Sequence, residues 1–162
     1  ADKIRIIRNY GQREKNCHSA LALNRRLDTL QASILRIKLR RLDQWNEQRR
    51  QNASLYSEKL KNMVLATPFE SDNVKHVYHL YVVRVHNRDA LQLHLQSRNV
   101  ATGIHYPHPI HLQEVNKELG YKPSDFPVAE EYASQILSLP MYPELTENQI
   151  QYVVDCFKEF TA

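Results

Sequence analysis

The chain has 162 residues, 42% of them hydrophobic and 25% charged, a globular composition that excludes a disordered tail or a low-complexity spacer. A domain of this size buries about 70% of the surface that its unfolded chain exposes, so a real core can form. The 22 Lys and Arg against 18 Asp and Glu leave a net charge of only +4, too small an excess to indicate a nucleic-acid partner. No apolar run approaches a bilayer span and the first eight residues have no signal-peptide core, so no membrane partner is expected. Cys17 and Cys156 stand near opposite ends without a paired spacing; this excludes a zinc ribbon or a disulfide framework, and it points to reduced thiols and a cytoplasmic location.

In chain order, Ala1 falls within what reads as a helix. All three glycines and all seven prolines then lie outside residues 12–67, so no strong breaker interrupts that interval and a long helix is expected in it. Leu27, Leu30, Ile34 and Ile37, then Trp45, then Ala53, Tyr56 and Leu60 recur at helical spacing. Asn24 is the expected cap, with Asp28 suited to the positive end of the dipole. One small core covers only part of such a helix, which is therefore expected to bridge two bodies or line a subunit contact. Its basic stripe of Arg36, Lys38, Arg40, Arg41, Arg49 and Arg50, broken by Asp43, Glu47 and Glu58, reads as a solvated face.

Residues 76–86 are rich in Val and Tyr with partial alternation and read as a strand. Asn87, Arg88 and Asp89 open a short helix carrying Leu91, Leu93 and Leu95 to about Ser97, and residues 100–104 are expected to form a second strand. Pro127–Gln135 fits a helix with proline in its first turn, and Ile136–Leu139 a short strand. Residues 146–160 fit a final helix capped by Thr146, with Gln149 completing a capping box. The fold class is α+β: a long helix, then a small antiparallel sheet with flanking helices. The expected division is a linker and long helix over 1–67 and a small α+β domain over 68–162.

Two clusters carry chemistry. Residues 102–113, T-G-I-H-Y-P-H-P-I-H-L-Q, cannot run as a helix or a central strand through Pro107 and Pro109, so His105, Tyr106, His108 and His111 are presented from an ordered loop. The three histidines are metal-type ligands, but no single helical face gathers them and no carboxylate sits among them; substrate contact or packing is the better reading. The other cluster, Arg8, Asn9, Tyr10, Gly11, Arg13, His18, Asn24, Arg25 and Arg26, concentrates donors whose natural guest is an anion. The plain alternative is that Asn24 only caps a helix and the arginines are solvated. Nucleophile elbows and phosphate-binding glycine fingerprints are absent, so motifs alone give no complete active site.

Taken in order, R-N-Y-G-Q-R, N-R-R-L-D-T-L-Q-A-S-I-L-R-I-K-L-R-R-L-D, G-I-H-Y-P-H-P-I-H-L-Q, F-P-V-A-E and L-S-L-P-M-Y-P-E-L-T resemble the DegT/DnrJ/EryC1/StrS sugar aminotransferases, in particular the branch acting on dTDP-linked keto-6-deoxyhexoses. The resemblance covers essentially the whole chain. It implies a fold-type I enzyme that uses pyridoxal 5′-phosphate (PLP), with a large cofactor domain, a smaller C-terminal domain and a homodimer with shared active sites. This chain is similar to the latter portion only: the PLP-binding lysine and the residues around the pyridine ring belong to a preceding segment, so the fragment alone should be inactive. Ser33 and Lys38 mimic the family's lysine motif, but Leu39, Arg40 and Arg41 follow where Asn, Leu and Gly are expected.

By the same resemblance, Asn24 matches the asparagine that reaches the cofactor phosphate of the neighbouring subunit. Arg25 on the cofactor side and Arg8 on the substrate side fall in matching basic segments. His105, Tyr106 and His111 match a proline-flanked loop expected to face the sugar nucleotide. Two positions depart: His108 stands where an apolar residue is usual, and Ala22-Leu23 where a Gly-aromatic pair is usual. The implied reaction is amination of a keto sugar nucleotide, a dTDP-linked 3-keto-6-deoxyhexose with amination at position 4 as the alternative, and an amino acid such as glutamate as donor. The reading from another class is a non-catalytic binding or scaffolding module for acidic ligands or for a separate cofactor domain.

Overall fold

The computed structural model describes residues 1–25 and 27–161; Arg26, named above in the basic cluster, lies outside the described residues. The chain divides into two compact units, Ala1–Asp43 and Gln44–Ala162.

The first unit opens with α1 (Asp2–Arg8), followed by a hairpin of β1 (Gln12–Glu14) and β2 (Cys17–His18) and by α2 (Thr29–Leu39). The hairpin lies in the glycine- and proline-free interval, ahead of the helix expected to be capped by Asn24. Its turn needs a left-handed residue, and Asn16 at φ 65° supplies one without glycine. Gly11, at φ 71°, has a second reason to lack a side chain: a Cβ there would stand 1.9 Å from the Ala20 carbonyl oxygen. The cap of α2 is Asp28, not Asn24. The Asp28 carboxylate accepts from the amides of Leu30 at 2.8 Å and Gln31 at 3.3 Å, whereas Asn24 lies four residues earlier in a bridge with Asn9. After α2 the chain turns at Arg40, with the Arg41 amide donating to the Lys38 carbonyl at 2.9 Å. The expected single helix is therefore two, and α3 (Leu42–Leu60) follows. None of α2 is buried; Leu30, Ile34, Leu35, Ile37 and Leu39 are 47–70% exposed.

The second unit is the α+β body. Ala53, Tyr56 and Leu60, at helical spacing on α3, enter its core, so the division expected at 67/68 falls inside this unit. Strand β3 (Tyr81–Arg84) is followed by α4 (Arg88–Ser97), α5 (Pro127–Gln135), β4 (Ile136–Leu139) and α6 (Glu147–Thr161). β3 and β4 pair antiparallel, from Tyr81 opposite Leu139 to Arg84 opposite Ile136. Against them pack Leu91 and Leu95 of α4 and Ile150, Val153, Val154 and Phe157 of α6. The last three elements agree with the sequence reading. Pro127 sits at the start of α5, and Thr146 and Gln149 form the capping box of α6: the Thr146 hydroxyl accepts from the Gln149 amide at 3.3 Å and the Gln149 side chain from the Thr146 amide at 2.9 Å.

Two expectations are corrected by the hydrogen-bond pattern. The strand expected over 76–86 shrinks to β3 because Tyr78 takes φ 47° and residues 76–77 are tied to α3 instead. Arg50 donates to the Glu70 carboxylate at 2.5 Å and to the His76 carbonyl at 2.7 Å, and Arg49 donates to the Val77 carbonyl at 3.1 Å. These two arginines are therefore struts rather than part of a solvated face. The strand expected over 100–104 is reduced to one bridge, Gly103 with Ser138, after Asn99 turns the chain at φ 59°.

The Arg50 hydrogen bond, then the His76 amide, holds the Glu70 carboxyl at about 2, below its ordinary 4.5. A depressed folded pKa gives stability that is present above the unfolded value and lost as pH falls through the folded one, so this strut weakens between pH about 4.5 and about 2. Carboxyl-carbon NMR should give a Glu70 midpoint near 2 that Arg50→Ala moves up; a wild-type midpoint at 4.5 contradicts the strut. Phe157 is 1% exposed, and Phe157→Ala should cost about 3–5 kcal/mol in urea unfolding. A loss below about 1 kcal/mol would place Phe157 outside the core.

Candidate functional site

In the first unit, the backbone itself gathers the basic cluster. The Arg25 amide donates to the Arg8 carbonyl at 3.0 Å, Asn9 bridges Asn24, and the Tyr10 amide reaches the Leu23 carbonyl at 3.4 Å. Residues 23–25 thus run antiparallel beside 8–10, setting Arg8, Asn24 and Arg25 on neighbouring backbone with all three exposed. Of these three, Arg8 lines a cleft of about 830 Å³, together with Asp2, Arg5, Asn9, Gln12 and Arg13 among others. Arg5 pairs with Asp2 at 2.6 Å; among the described residues Arg8, Arg13 and Arg25 enter no ion pair. Guanidinium forks and an exposed amide on fixed backbone suit an anion with several oxygens, such as a phosphate.

In the second unit, the loop at 102–113 is fastened at two histidines. His105 Nδ1 lies 2.8 Å from the Ser138 hydroxyl, and the backbones of Gly103 and Ser138 exchange hydrogen bonds of 3.1 and 2.7 Å. The His105 ring lies across Gly103, where a Cβ would stand 2.8 Å from Cε1, and meets the Tyr106 ring edge-on at 5.5 Å. Tyr106 itself is 74% exposed. His111 behaves differently. Its side chain is 7% exposed, its Nε2 lies 2.9 Å from Glu130 and its ring packs on Phe126 at 4.8 Å.

Burial pushes the Glu130 carboxyl up, but the hydrogen bond with His111 and the amides of Ser124 and Phe126 outweigh it and hold the group below the usual range. His111, expected to face the ligand, is committed to α5 and anchors the loop, because its ring nitrogen meets an internal carboxylate. His108 remains exposed. A mostly apolar groove of about 500 Å³ lies beside the loop, with Tyr106, Ile110, Leu119, Tyr121, Phe126 and Tyr132 in its walls. Arg84 stacks over Tyr132 at 3.7 Å from the ring centroid.

The residues that fasten the loop, Gly103, Glu130 and Ser138, escaped the sequence reading as site residues. The signal for Ser138 was a lone hydroxyl within L-S-L on a strand whose neighbours enter the core. Among the described residues no group of three or more His, Cys, Asp or Glu is placed to hold a metal ion, and no helix is long and apolar enough to cross a membrane. Cys17 is exposed, Cys156 is buried, and both are free.

Comparison with known proteins gives a consistent result. The model of the DegT/DnrJ/EryC1/StrS aminotransferase family matches residues 1–158. The pleiotropic regulatory protein of Geobacillus stearothermophilus is 47% identical over 163 residues, with 99% of this chain and 44% of that protein covered. The dTDP-3-amino-3,6-dideoxy-alpha-D-galactopyranose transaminase of Aneurinibacillus thermoaerophilus is 39% identical over 160 residues, covering 99% of this chain and 44% of that protein. The crystal structure of S. venezuelae DesV in complex with a ketimine intermediate superposes with a TM-score of 0.91 at 38% identity, over 98% of this chain and 43% of that one. The chain spans less than half the length of these relatives. With residues 1–158 matched and the fold shared at that level, the chain belongs to the DegT/DnrJ/EryC1/StrS aminotransferase family.

Proposed function

We propose that this chain is the C-terminal part of a PLP-dependent aminotransferase that turns a keto sugar nucleotide into an amino sugar nucleotide in the cytoplasm. The proposed substrate is a dTDP-linked 3-keto-6-deoxyhexose, in keeping with the transaminase names of relatives, and the proposed amino donor is glutamate. The observation that supports this reading is the pairing of residues 8–10 with 23–25, which sets Asn24 and Arg25 on backbone next to Arg8, itself in the wall of a cleft with Arg5 and Arg13.

The donor set fits a phosphate. When bound, PLP supplies the electron sink through which an amino group is exchanged for a carbonyl oxygen. In this proposal the Asn24 amide and the Arg25 guanidinium hold the phosphate of the cofactor carried by the neighbouring subunit, and Arg8 offsets negative charge on the sugar nucleotide. His105 and Tyr106 offer hydrogen bonds to sugar or diphosphate oxygens from a loop that His111 and Glu130 keep in place. The lysine that binds PLP is proposed to lie in the cofactor domain, outside this chain. A homodimer is proposed because the apolar residues of α2 are left uncovered. A scaffold that captures acidic ligands through residues 36–50 has less support, since Arg49 and Arg50 are engaged with residues 70–77.

The test uses the full-length holoenzyme. Asn24→Ala should weaken PLP binding by roughly tenfold to a hundredfold, the value of one hydrogen bond to a charged acceptor, as read by cofactor absorbance during dialysis. His105→Ala and Tyr106→Phe should raise KM for the sugar nucleotide and leave the cofactor spectrum unchanged. The reverse pattern would assign the two clusters to the wrong ligands, and an intact PLP-loaded dimer that forms no amino sugar would reject the reading.

A further inference from the structure

We propose that Ser138 is a positioning residue that holds His105 as the Nε2–H tautomer, so that this imidazole meets the sugar nucleotide as a hydrogen-bond donor to an oxygen. The inference rests on the reading that the 102–113 loop faces the substrate, and it adds the residue that decides what His105 can offer.

Ser138 lies between Leu137 and Leu139 on β4 and is only 4% exposed. A buried hydroxyl is expected to place its proton on an acceptor. Its backbone groups are already spent, since amide and carbonyl both pair with Gly103. Among the described residues, His105 Nδ1 at 2.8 Å is the hydrogen-bond partner of the hydroxyl. If the hydroxyl donates, Nδ1 accepts through its lone pair, and a neutral imidazole then carries its proton on Nε2. The opposite arrangement, with Nδ1–H donating, would bury the hydroxyl proton without an acceptor, which is the costlier state.

The ring has little freedom to escape this choice. Gly103 lies against Cε1 closely enough that a methyl group would stand at 2.8 Å, and Tyr106 packs edge-on at 5.5 Å. One nitrogen therefore faces the fold while His105 as a whole is exposed, and Nε2 makes no hydrogen bond among the described residues. The matching ligand group is an oxygen that accepts, on the hexose or on its diphosphate.

The experiment uses the full-length holoenzyme, labelled with nitrogen-15 in histidine and assigned through His105→Asn. Wild type should show a pyridine-like Nδ1 and a pyrrole-like Nε2 at His105. Ser138→Ala should erase that preference and raise KM for the sugar nucleotide roughly three- to tenfold, with the PLP absorbance unchanged. Ser138→Thr, which keeps the hydroxyl, should restore both, so a general packing defect is separated from loss of the bond. Inhibition by the nucleoside diphosphate lacking the hexose assigns the oxygen: a matching loss of its affinity in Ser138→Ala places the acceptor on the diphosphate, and an unchanged affinity places it on the sugar. A protonated Nδ1 in wild type overturns the proposal. So does an unchanged KM in Ser138→Ala while His105→Ala raises it, and that outcome leaves the substrate reading standing. If His105→Ala also leaves KM unchanged, the substrate reading fails and this inference with it.

Discussion

The period of two along β4 separates the packed side of the second unit from the side that meets the 102–113 loop. Leu137 and Leu139 belong to the core with Tyr56, Tyr81 and Phe157, while Ser138 between them meets His105. A slip of one residue against β3 would exchange these sides, so the register from Tyr81–Leu139 to Arg84–Ile136 fixes core and loop together. The packed side enforces that register. Tyr56 and Tyr81 stack at 5.1 Å, and the Tyr81 hydroxyl bonds to Ser57 at 2.8 Å. Burial pushes the Tyr81 hydroxyl up to about 12 and Tyr56 higher still, so both stay neutral in the core at physiological pH.

Outside the core, segments without regular structure are held by hydrogen bonds to charged side chains on helices and strands. Arg50 and Glu70 fasten residues 70–78 to α3 and Glu130 fastens His111, while between regular elements Arg84 of β3 reaches Gln135 at 2.7 Å and Glu131 at 3.0 Å on α5. Such bonds are directional and suit loops that have few apolar contacts of their own. The first unit is built on another principle. Its order comes from backbone pairing and tight turns, and its helix α2 keeps its leucines and isoleucines exposed. In the proposed holoenzyme, contact with the cofactor domain or the second subunit covers that surface.

The sequence was most legible where local chemistry is sufficient. Pro127 starts α5, Thr146 with Gln149 starts α6, and Asn87 to Asp89 open α4, since each signal acts within one turn. It was least legible where a residue of the wrong type does the job. Asn16 made a turn without glycine, Asp28 took the cap assigned to Asn24, and Tyr78 in a left-handed conformation cut short a Val- and Tyr-rich strand. In the candidate site, the prolines mark 102–113 as an ordered loop, whereas Ser138 and Glu130 lie 33 and 19 residues from their histidine partners and are brought there only by the fold. The role proposed for Asn24 rests on family resemblance, and the bridge to Asn9 supplies a physical reason for its fixed backbone.

Two contacts are proposed for this chain, each made by one unit: Asn24 with a cofactor phosphate and His105 with a sugar nucleotide. Both contacts can be read from a crystal structure of the full-length protein with PLP and a dTDP-sugar. The expected result is the Asn24 amide within hydrogen-bond distance of the phosphate of the neighbouring subunit's cofactor, and His105 Nε2 within reach of an oxygen of the sugar nucleotide. A phosphate held wholly by other residues, with Asn24 and His105 both turned to solvent, would contradict it.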